Sequence, residues 1–452
     1  MTRKYFGTDG IRGKANVGVM TPEIAFRLGA AVTYQARQNG NHRPRIVIGK
    51  DTRRSGYLFE SALTAGCSAM GGDVQVTGPL PTPAIAHLTH SMRADVGVVI
   101  SASHNAYQDN GLKLFGPDGF KLPDAREEEL EALMDSDVLQ TKRATGQHIG
   151  MVERIDSAWG RYVQYVKSTF PDDLTLEGVR IVVDAAHGAA YMTAPAVFRE
   201  LGATVYPLGV HPNGRNINAD RGAMHPAACA KEVKRRKADI GFALDGDADR
   251  VIVIDEHGEE VNGDAIMALC ATRMLRRREL RKRTLVTTVM SSLGLERALQ
   301  REKGKLLRVG VGDRYVVEAM RKGGYSFGGE QSGHLVFLDH ATTGDGLLGA
   351  LQVLATLLRE DGSLSQLTRE VFEPVPQVLQ STTLPQRRPL DEMPSTSAAI
   401  GDAERDLGKD GRVLVRWSGT EPKLRVLVEG PQKRRITKLA DQITAAAKAE
   451  LG

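Results

Sequence analysis

This chain is poor in the residues that mark secreted, membrane-spanning and nucleic-acid-binding proteins. Of its 452 residues only three are cysteine, Cys67, Cys229 and Cys270, and none form a CxxC pair. That excludes a disulfide framework and a zinc ribbon, and it fits a reducing cytoplasm. No uncharged apolar run is long enough to span a bilayer, and residues 1–7 lack the apolar stretch of a signal peptide. The expectation is a soluble, cytoplasmic protein with no membrane partner. Aromatic residues are 5% of the chain and no nucleic-acid recognition motif occurs, so no nucleic-acid partner is expected. Basic residues outnumber acidic ones by only 60 to 55, a net charge of +5. The densest basic runs, 276–278 with 281–283 and 231–237, lie in or beside helical patterns and read as solvated helix faces. A small anionic substrate is a better use of the mild basic excess.

What remains is ordinary globular composition, 41% hydrophobic and 25% charged, in a chain too long for one core. Glycine is plentiful. The 48 glycines gather in short polar loops, where backbone must come close to something.

One order of elements recurs three times. The first unit has strands at 45–48, 73–76 and 96–100, the second at 180–183, 203–206 and 240–244, and the third at 284–289, 306–309 and 325–327. After its last strand each unit meets a polar loop: Ser101-Ala102-Ser103-His104-Asn105, Asp245-Gly246-Asp247-Ala248-Asp249, and Gly328-Gly329-Glu330-Gln331-Ser332-Gly333-His334. Apolar strands alternating with helices predict mixed α/β sheets covered on both faces. Ligands gather at the carboxyl ends of such strands, so the three loops are expected to converge on one cleft. The tail differs: a proline-rich linker with an edge strand over 374–394, a hairpin of 412–416 and 423–429, and a terminal helix over 436–451. The predicted architecture is three related α/β domains around a central cleft plus a small C-terminal α+β domain, divided at 1–155, 156–256, 257–372 and 373–452.

Three carboxylates at alternate positions, Asp245, Asp247 and Asp249, offer hard oxygen ligands to Mg²⁺ or Ca²⁺. An EF-hand is excluded, because its sixth position is Arg250 instead of glycine and the flanks are strand-like. Ser103 lies in no GxSxG elbow, which removes support for acyl chemistry. Opposite a metal site, its oxygen suits a phosphoryl carrier, with Lys113 on the next strand supplying charge or moving a proton. Arg416-Trp417-Ser418-Gly419-Thr420-Glu421, with Arg425 on the return strand, makes a nest for a phosphate that is held but not transferred.

Taken together these motifs resemble the α-D-phosphohexomutase superfamily over essentially the whole chain, from Tyr5-Phe6-Gly7-Thr8-Asp9-Gly10-Ile11-Arg12-Gly13 to residue 421. The resemblance implies a four-domain isomerase whose phosphoserine is Ser103 and whose Mg²⁺ is held by Asp245, Asp247, Asp249 and that phosphoserine. Arg12, Lys113 and His334 match acid–base or charge-stabilising positions, and Arg250 matches a contact to the transferring phosphate. His104, Glu330 and Ser332 match sugar-binding positions, and Arg416, Ser418, Gly419, Thr420 and Arg425 match the phosphate clamp. The opening motif and Gln331 resemble the branch that interconverts glucosamine 6-phosphate and glucosamine 1-phosphate through a 1,6-bisphosphate, on the way to UDP-N-acetylglucosamine and cell-wall precursors. Glucose 1,6-bisphosphate or glucosamine 1,6-bisphosphate is the implied activator, and a monomer or homodimer the implied assembly.

Two departures stand out. Ala106 replaces the family's usual proline after Ser-His-Asn, which is expected to leave the serine loop less stiff. Residues 219–225 depart from the usual continuation after His211-Pro212-Asn213-Gly214, which bears on the middle of the cleft. The competing readings are a phosphomannomutase or phosphoglucomutase, a phosphosugar phosphatase, and a non-catalytic sugar-phosphate binder.

Overall fold

The computed structural model describes residues 4–7, 9–39, 42–418 and 422–452. The first sheet holds β1 (Ile11–Lys14), β2 (Arg45–Lys50), β3 (Asp73–Pro79), β4 (Val96–Ile100), β5 (Asp109–Phe115) and β6 (Val152–Arg154), in the order β1-β5-β4-β2-β3-β6. β2 pairs in parallel with β3 and β4, and β5 runs antiparallel to β4 and β1. The second sheet holds β7 (Arg180–Asp184), β8 (Thr204–Leu208), β9 (Ile240–Leu244), β10 (Val251–Ile254) and β11 (Glu260–Val261), in the order β11-β10-β9-β7-β8. β11 lies beyond residue 256, so this sheet continues past the expected end of its unit. The third holds β12 (Thr284–Thr288), β13 (Lys305–Val309), β14 (Phe327–Gly329) and β15 (Leu335–Phe337), in the order β13-β12-β14-β15.

The repeat is therefore real in its geometry. In each unit the first strand pairs in parallel with the second and third, and the third turns into an antiparallel neighbour. Valine and isoleucine dominate β2, β4, β7 and β10, which suits pleated surfaces packed from both sides. One apolar cluster runs from Val47 to Phe372 through all three units, and separate clusters cover the opposite faces. The third strand of the third unit sits two residues later than the apolar pattern suggests, because Tyr325 is only partly buried and Gly328-Gly329 pair with β12.

The tail forms β16 (Gln377–Thr383), β17 (Arg412–Trp417) and β18 (Lys423–Glu429), an antiparallel sheet ordered β16-β18-β17. Its core is its own, built from Leu384, Leu424, Val426, Val428, Ile436 and Ile443 among others. A helix at Pro394–Leu407 starts where the proline-rich linker was expected to end. Pro394 opens it, a position where a missing N–H costs nothing. All three cysteines are buried, and burial pushes the Cys67 and Cys270 thiols up to about 12. Among the described residues no helix is long and apolar enough to cross a membrane.

Candidate active site

The ends of β4 and β9 bring the serine and aspartate loops together. Ser103 Oγ donates to Asp245 Oδ2 at 2.6 Å and lies 3.3 Å from His104 Nδ1. The approach is backbone-close, since a Cβ on Gly246 would stand 2.6 Å from the Ser103 carbonyl oxygen. Ser103 itself has φ +51°, a left-handed conformation that a non-glycine residue holds only when its surroundings fix it. They do. Its N–H donates to Ser101 Oγ at 2.9 Å, and its carbonyl accepts from Arg53 Nη2 at 3.1 Å and Asn218 Nδ2 at 2.9 Å. The same two side chains grip the Asn105 carbonyl, and fully buried Arg53 is paired with Asp51. The loop is thus held firmly although Ala106 stands where proline was expected.

The three aspartates are buried, with a carboxylate oxygen of each within 4.8 Å of the others. Burial pushes Asp245 well above the usual carboxylate range, and the neighbouring Asp249 and Asp247 add to it. Asp247 Oδ1 and Asp249 Oδ1 are buried without a hydrogen-bond partner. Orphaned, crowded carboxylate oxygens at a loop bottom are what a hard divalent cation satisfies, so the residues present fit a metal.

Around the triad runs a closed ring of alternating charge. Lys113 Nζ lies 2.9 Å from Asp247 Oδ2, 3.3 Å from Asp249 Oδ2 and 3.4 Å from Asp9 Oδ2. Lys121 Nζ bridges Asp9 and Asp313 at 2.6 Å each. Asp313 sits 3.4 Å from His334 Nε2, and His334 Nδ1 lies 3.9 Å from Asp249. Arg12 pairs with Asp9 from outside the ring. Burial works against the charge of Lys113, but Asp247, Asp9 and Asp249 outweigh it and hold the ammonium protonated. Burial likewise lowers His334, while Asp249 and Asp313 raise it further, so the net direction is up. His104 moves the other way, lowered by burial and by the nearby Arg250 and Arg12.

A cleft of about 330 Å³ opens beside the triad, lined by His104, Asp245, Arg250, Met224, Gln331 and Ser332. Met224, in the atypical segment, is 53% exposed there on a short 3₁₀ turn. Glu330 accepts from Gly312 N at 3.2 Å and from Ser332 Oγ at 3.4 Å. Arg416 and Arg425 face each other across β17 and β18. Burial and Arg425 lower the Arg416 guanidinium, and the Nε atoms of both arginines are buried without a partner. Ser418 is buried at the end of this hairpin, while Gly419 and Thr420 lie outside the described residues.

The structure therefore gathers Ser103, the triad, Lys113, Arg12, His334, Arg250 and His104, with Ser332 at the cleft wall and Glu330 hydrogen-bonded behind it. It adds Asp9, Lys121, Asp313, Arg53 and Asn218, which sequence reasoning did not select. One signal was available for Arg53: the first strand of the first unit also ends in a polar loop, Asp51-Thr52-Arg53.

Models of the phosphoglucomutase/phosphomannomutase family match in order: alpha/beta/alpha domain I over residues 3–140, domain II over 160–258, domain III over 262–375 and the C-terminal domain over 382–446. A phosphoglucosamine mutase of Sorangium cellulosum is 61% identical over 99% of this chain and 94% of its own length. One from an Anaeromyxobacter species is 58% identical over 100% and 97%. The chain belongs to the phosphoglucosamine mutase family. Among solved structures, a phosphoglucomutase/phosphomannomutase family protein of Burkholderia thailandensis superposes with a TM-score of 0.81 at 25% identity, covering 99% of this chain and 97% of that one. The fold is shared too with the N-acetylphosphoglucosamine mutase of Aspergillus fumigatus in complex with GlcNAc-6P and magnesium, with a TM-score of 0.66 at 17% identity over 99% and 96%. For a phosphoglucosamine mutase, the pairing of a serine loop with an acidic triad is the part of this chain where the chemistry concentrates.

Proposed function

We propose that this chain interconverts glucosamine 6-phosphate and glucosamine 1-phosphate, with Ser103 carrying the transferable phosphoryl group. The observation that carries the reading is the 2.6 Å contact between Ser103 Oγ and Asp245 within a buried triad that has orphaned oxygens. Four units, 1–155, 156–256, 257–372 and 373–452, supply one part each, with β11 reaching across the second boundary. The setting is the cytoplasm, where the three thiols stay reduced.

Phospho-Ser103 gives its phosphoryl group to the 1-hydroxyl of the 6-phosphosugar: the Oγ–P bond breaks, the sugar O1–P bond forms, and the hydroxyl proton leaves to a nearby base. The 1,6-bisphosphate turns over in the cleft, and its 6-phosphoryl group returns to Ser103 Oγ. Asp245, Asp247 and Asp249 would hold Mg²⁺, with the phosphoserine as a further ligand. The ion supplies positive charge to the oxygens of the moving phosphoryl group. Lys113, kept protonated by three carboxylates, adds charge beside the triad and suits that role better than a base. Arg250 lies over the cleft for the transferring group, and Arg12 holds Asp9. His334, set between Asp249 and Asp313, is the proton-moving candidate on the sugar side. Glu330 and Ser332, with His104, read the sugar hydroxyls, and Arg416, Ser418, Gly419, Thr420 and Arg425 hold the phosphate not being transferred.

The test is turnover of glucosamine 6-phosphate with Mg²⁺ and catalytic glucose 1,6-bisphosphate, beside mannose and glucose phosphates. Preference for glucosamine phosphate is the expected result. Equal or faster turnover of the neutral sugars would keep the mutase and overturn the substrate, while phosphate release without isomerisation would mean a phosphatase.

A further inference from the structure

We propose that Arg412 and Glu429 form the joint that sets the phosphate clamp against the sugar loop, acting as positioning residues for a bisphosphate that must turn without escaping. The inference rests on the function proposed above and adds residues to it.

The C-terminal unit has its own apolar core, so its placement depends on what ties it to its neighbour. The tie is polar and largely buried, with Glu429 fully out of water and Arg412 partly so. Arg412 spends all three guanidinium nitrogens there: Nε donates to Glu429 Oε2 at 2.6 Å, Nη1 to the Val289 carbonyl at 3.0 Å, and Nη2 to the Ser291 carbonyl at 2.9 Å. Glu429, fully buried and opposite Arg412 in the β17–β18 register, uses its other oxygen to accept from Leu293 N at 3.1 Å. The loop at 289–293 is thereby held from both strands of the hairpin.

Both ends of this contact lead to the proposed site. Arg416 lies four residues along β17 from Arg412 and so on the same face, and its Nη2 reaches Met290 Sδ at 3.8 Å in the same loop. On the other side Ser292 N donates to buried Asp264 Oδ2 at 2.7 Å, in the first turn of the helix Gly263–Arg277. Gly263 in turn packs against the sugar loop so closely that a Cβ there would stand 2.2 Å from the Gln331 carbonyl oxygen. A continuous line of close contacts runs from Gln331 through Gly263, Asp264, Ser292 and Glu429 to the clamp strand.

A buried ion pair is a poor device for stability, because desolvation offsets most of the attraction, but it is a good device for register. Here the register is that of a clamp relative to a loop. Loosening the joint lets the clamp drift from the bound sugar, and displacements of about 1 Å from the reacting geometry can cost about a hundredfold in rate. The step most exposed is the turning of the bisphosphate, which is bound only through such contacts. Its escape leaves Ser103 without a phosphoryl group, so the enzyme then needs more added bisphosphate.

The experiment compares four variants for the glucose 1,6-bisphosphate concentration giving half-maximal turnover, and for bisphosphosugar released into solution. Arg412→Lys keeps the charge but not the three-way fork, and Glu429→Gln keeps the shape but not the charge. Leu293→Pro removes the amide that donates to Glu429 at the first position of the helix Leu293–Arg301, where proline is tolerated. Ser292 before it already has the extended backbone that a following proline requires, at φ −71° and ψ 161°. Leu293→Ala keeps the amide and trims the side chain as control. The first three are expected to raise the activator requirement about tenfold with released bisphosphosugar accumulating, while Leu293→Ala behaves as wild type. Should Arg412→Lys or Glu429→Gln melt early, Leu293→Pro against Leu293→Ala decides alone. An activator requirement unchanged in Leu293→Pro overturns the joint, as does a loss of turnover without any change in that requirement. A wild-type protein that isomerises no hexosamine phosphate would instead sink the proposed function. The joint is then read by hydrogen exchange: faster exchange at both 289–293 and 412–429 in Leu293→Pro supports it, and exchange equal to Leu293→Ala overturns it.

Discussion

The floor of the cleft and the C-terminal hairpin are both charged, and they treat charge in opposite ways. Around the triad Lys113, Lys121 and His334 each have two or three carboxylate neighbours, closing a ring from Lys113 through Asp9, Lys121, Asp313, His334 and Asp249. In the hairpin two arginines face each other across paired strands, an arrangement that destabilises unless an anion comes between them. The first region is largely paired before anything binds, apart from the triad oxygens left for a cation. Among the described residues no carboxylate pairs with either arginine of the second, so its energy is released when an anionic ligand arrives. A reaction that keeps one phosphate in transit and exchanges the other calls for one region of each kind.

The strongest way to break this comparison is at the serine. Ser103→Ala removes the carrier oxygen and leaves the ring intact, so isomerisation is expected to fall about a million-fold, to background. Residual mutase activity within a few hundredfold of wild type would mean that the compensated floor is not where the phosphoryl group is carried. Next is Asp247→Asn, which removes charge from a residue that serves both the triad and Lys113. Turnover is expected to drop about a hundredfold or more, with a steeper Mg²⁺ requirement. An unchanged magnesium titration would separate Asp247 from the metal and leave it to Lys113 alone.

The two regions also differ in how readable they are in sequence. Ser103, the aspartates and the hairpin arginines declare themselves because each sits in a short polar motif at the end of a recognisable strand. The ring does not. Lys121 meets Asp9 across 112 positions and Asp313 across 192, so no local pattern joins them. Asn218 and Arg53 were hidden for the same reason, each reaching the Ser103 carbonyl from a different strand-end loop. The main strands of each unit were legible from the apolar runs, but their order in the sheets was not, because pairing joins segments far apart in the chain. The helix Pro394–Leu407 was not, because its polar, alanine- and serine-rich sequence between proline and glycine looks like a loop until Thr396, Ala403 and Leu407 are seen buried.

Arg416→Ala sharpens the hairpin's half of the comparison. Losing a charged hydrogen-bond donor to phosphate should raise the substrate concentration needed for half-maximal turnover about ten- to a hundredfold, with a smaller change in maximal rate. The overall stability should hold or rise, because one of two opposed arginines is gone. A loss confined to maximal rate would place Arg416 with the compensated group instead.

The smallest effect concerns a carboxylate just behind the floor. Asp345 is buried, caps the helix Gly346–Leu358 through Leu347 N and Leu348 N, and accepts from Tyr162 OH at 2.9 Å. Among the described residues no cation offsets it, and burial pushes it up to about 6 from an ordinary 3.8. A carboxylate whose folded value is raised binds its proton more tightly when folded. Its contribution is therefore favourable below 3.8, declines as pH rises toward 6, and stays reduced above, a change of about 3 kcal/mol at most. Asp345→Asn keeps the cap and cannot ionise. Its melting temperature relative to wild type should accordingly improve between pH 4 and pH 7, whatever its offset at either end. A difference that stays flat with pH would show that Asp345 is compensated after all, and the line between paired and unpaired charge would have to be drawn further from the cleft.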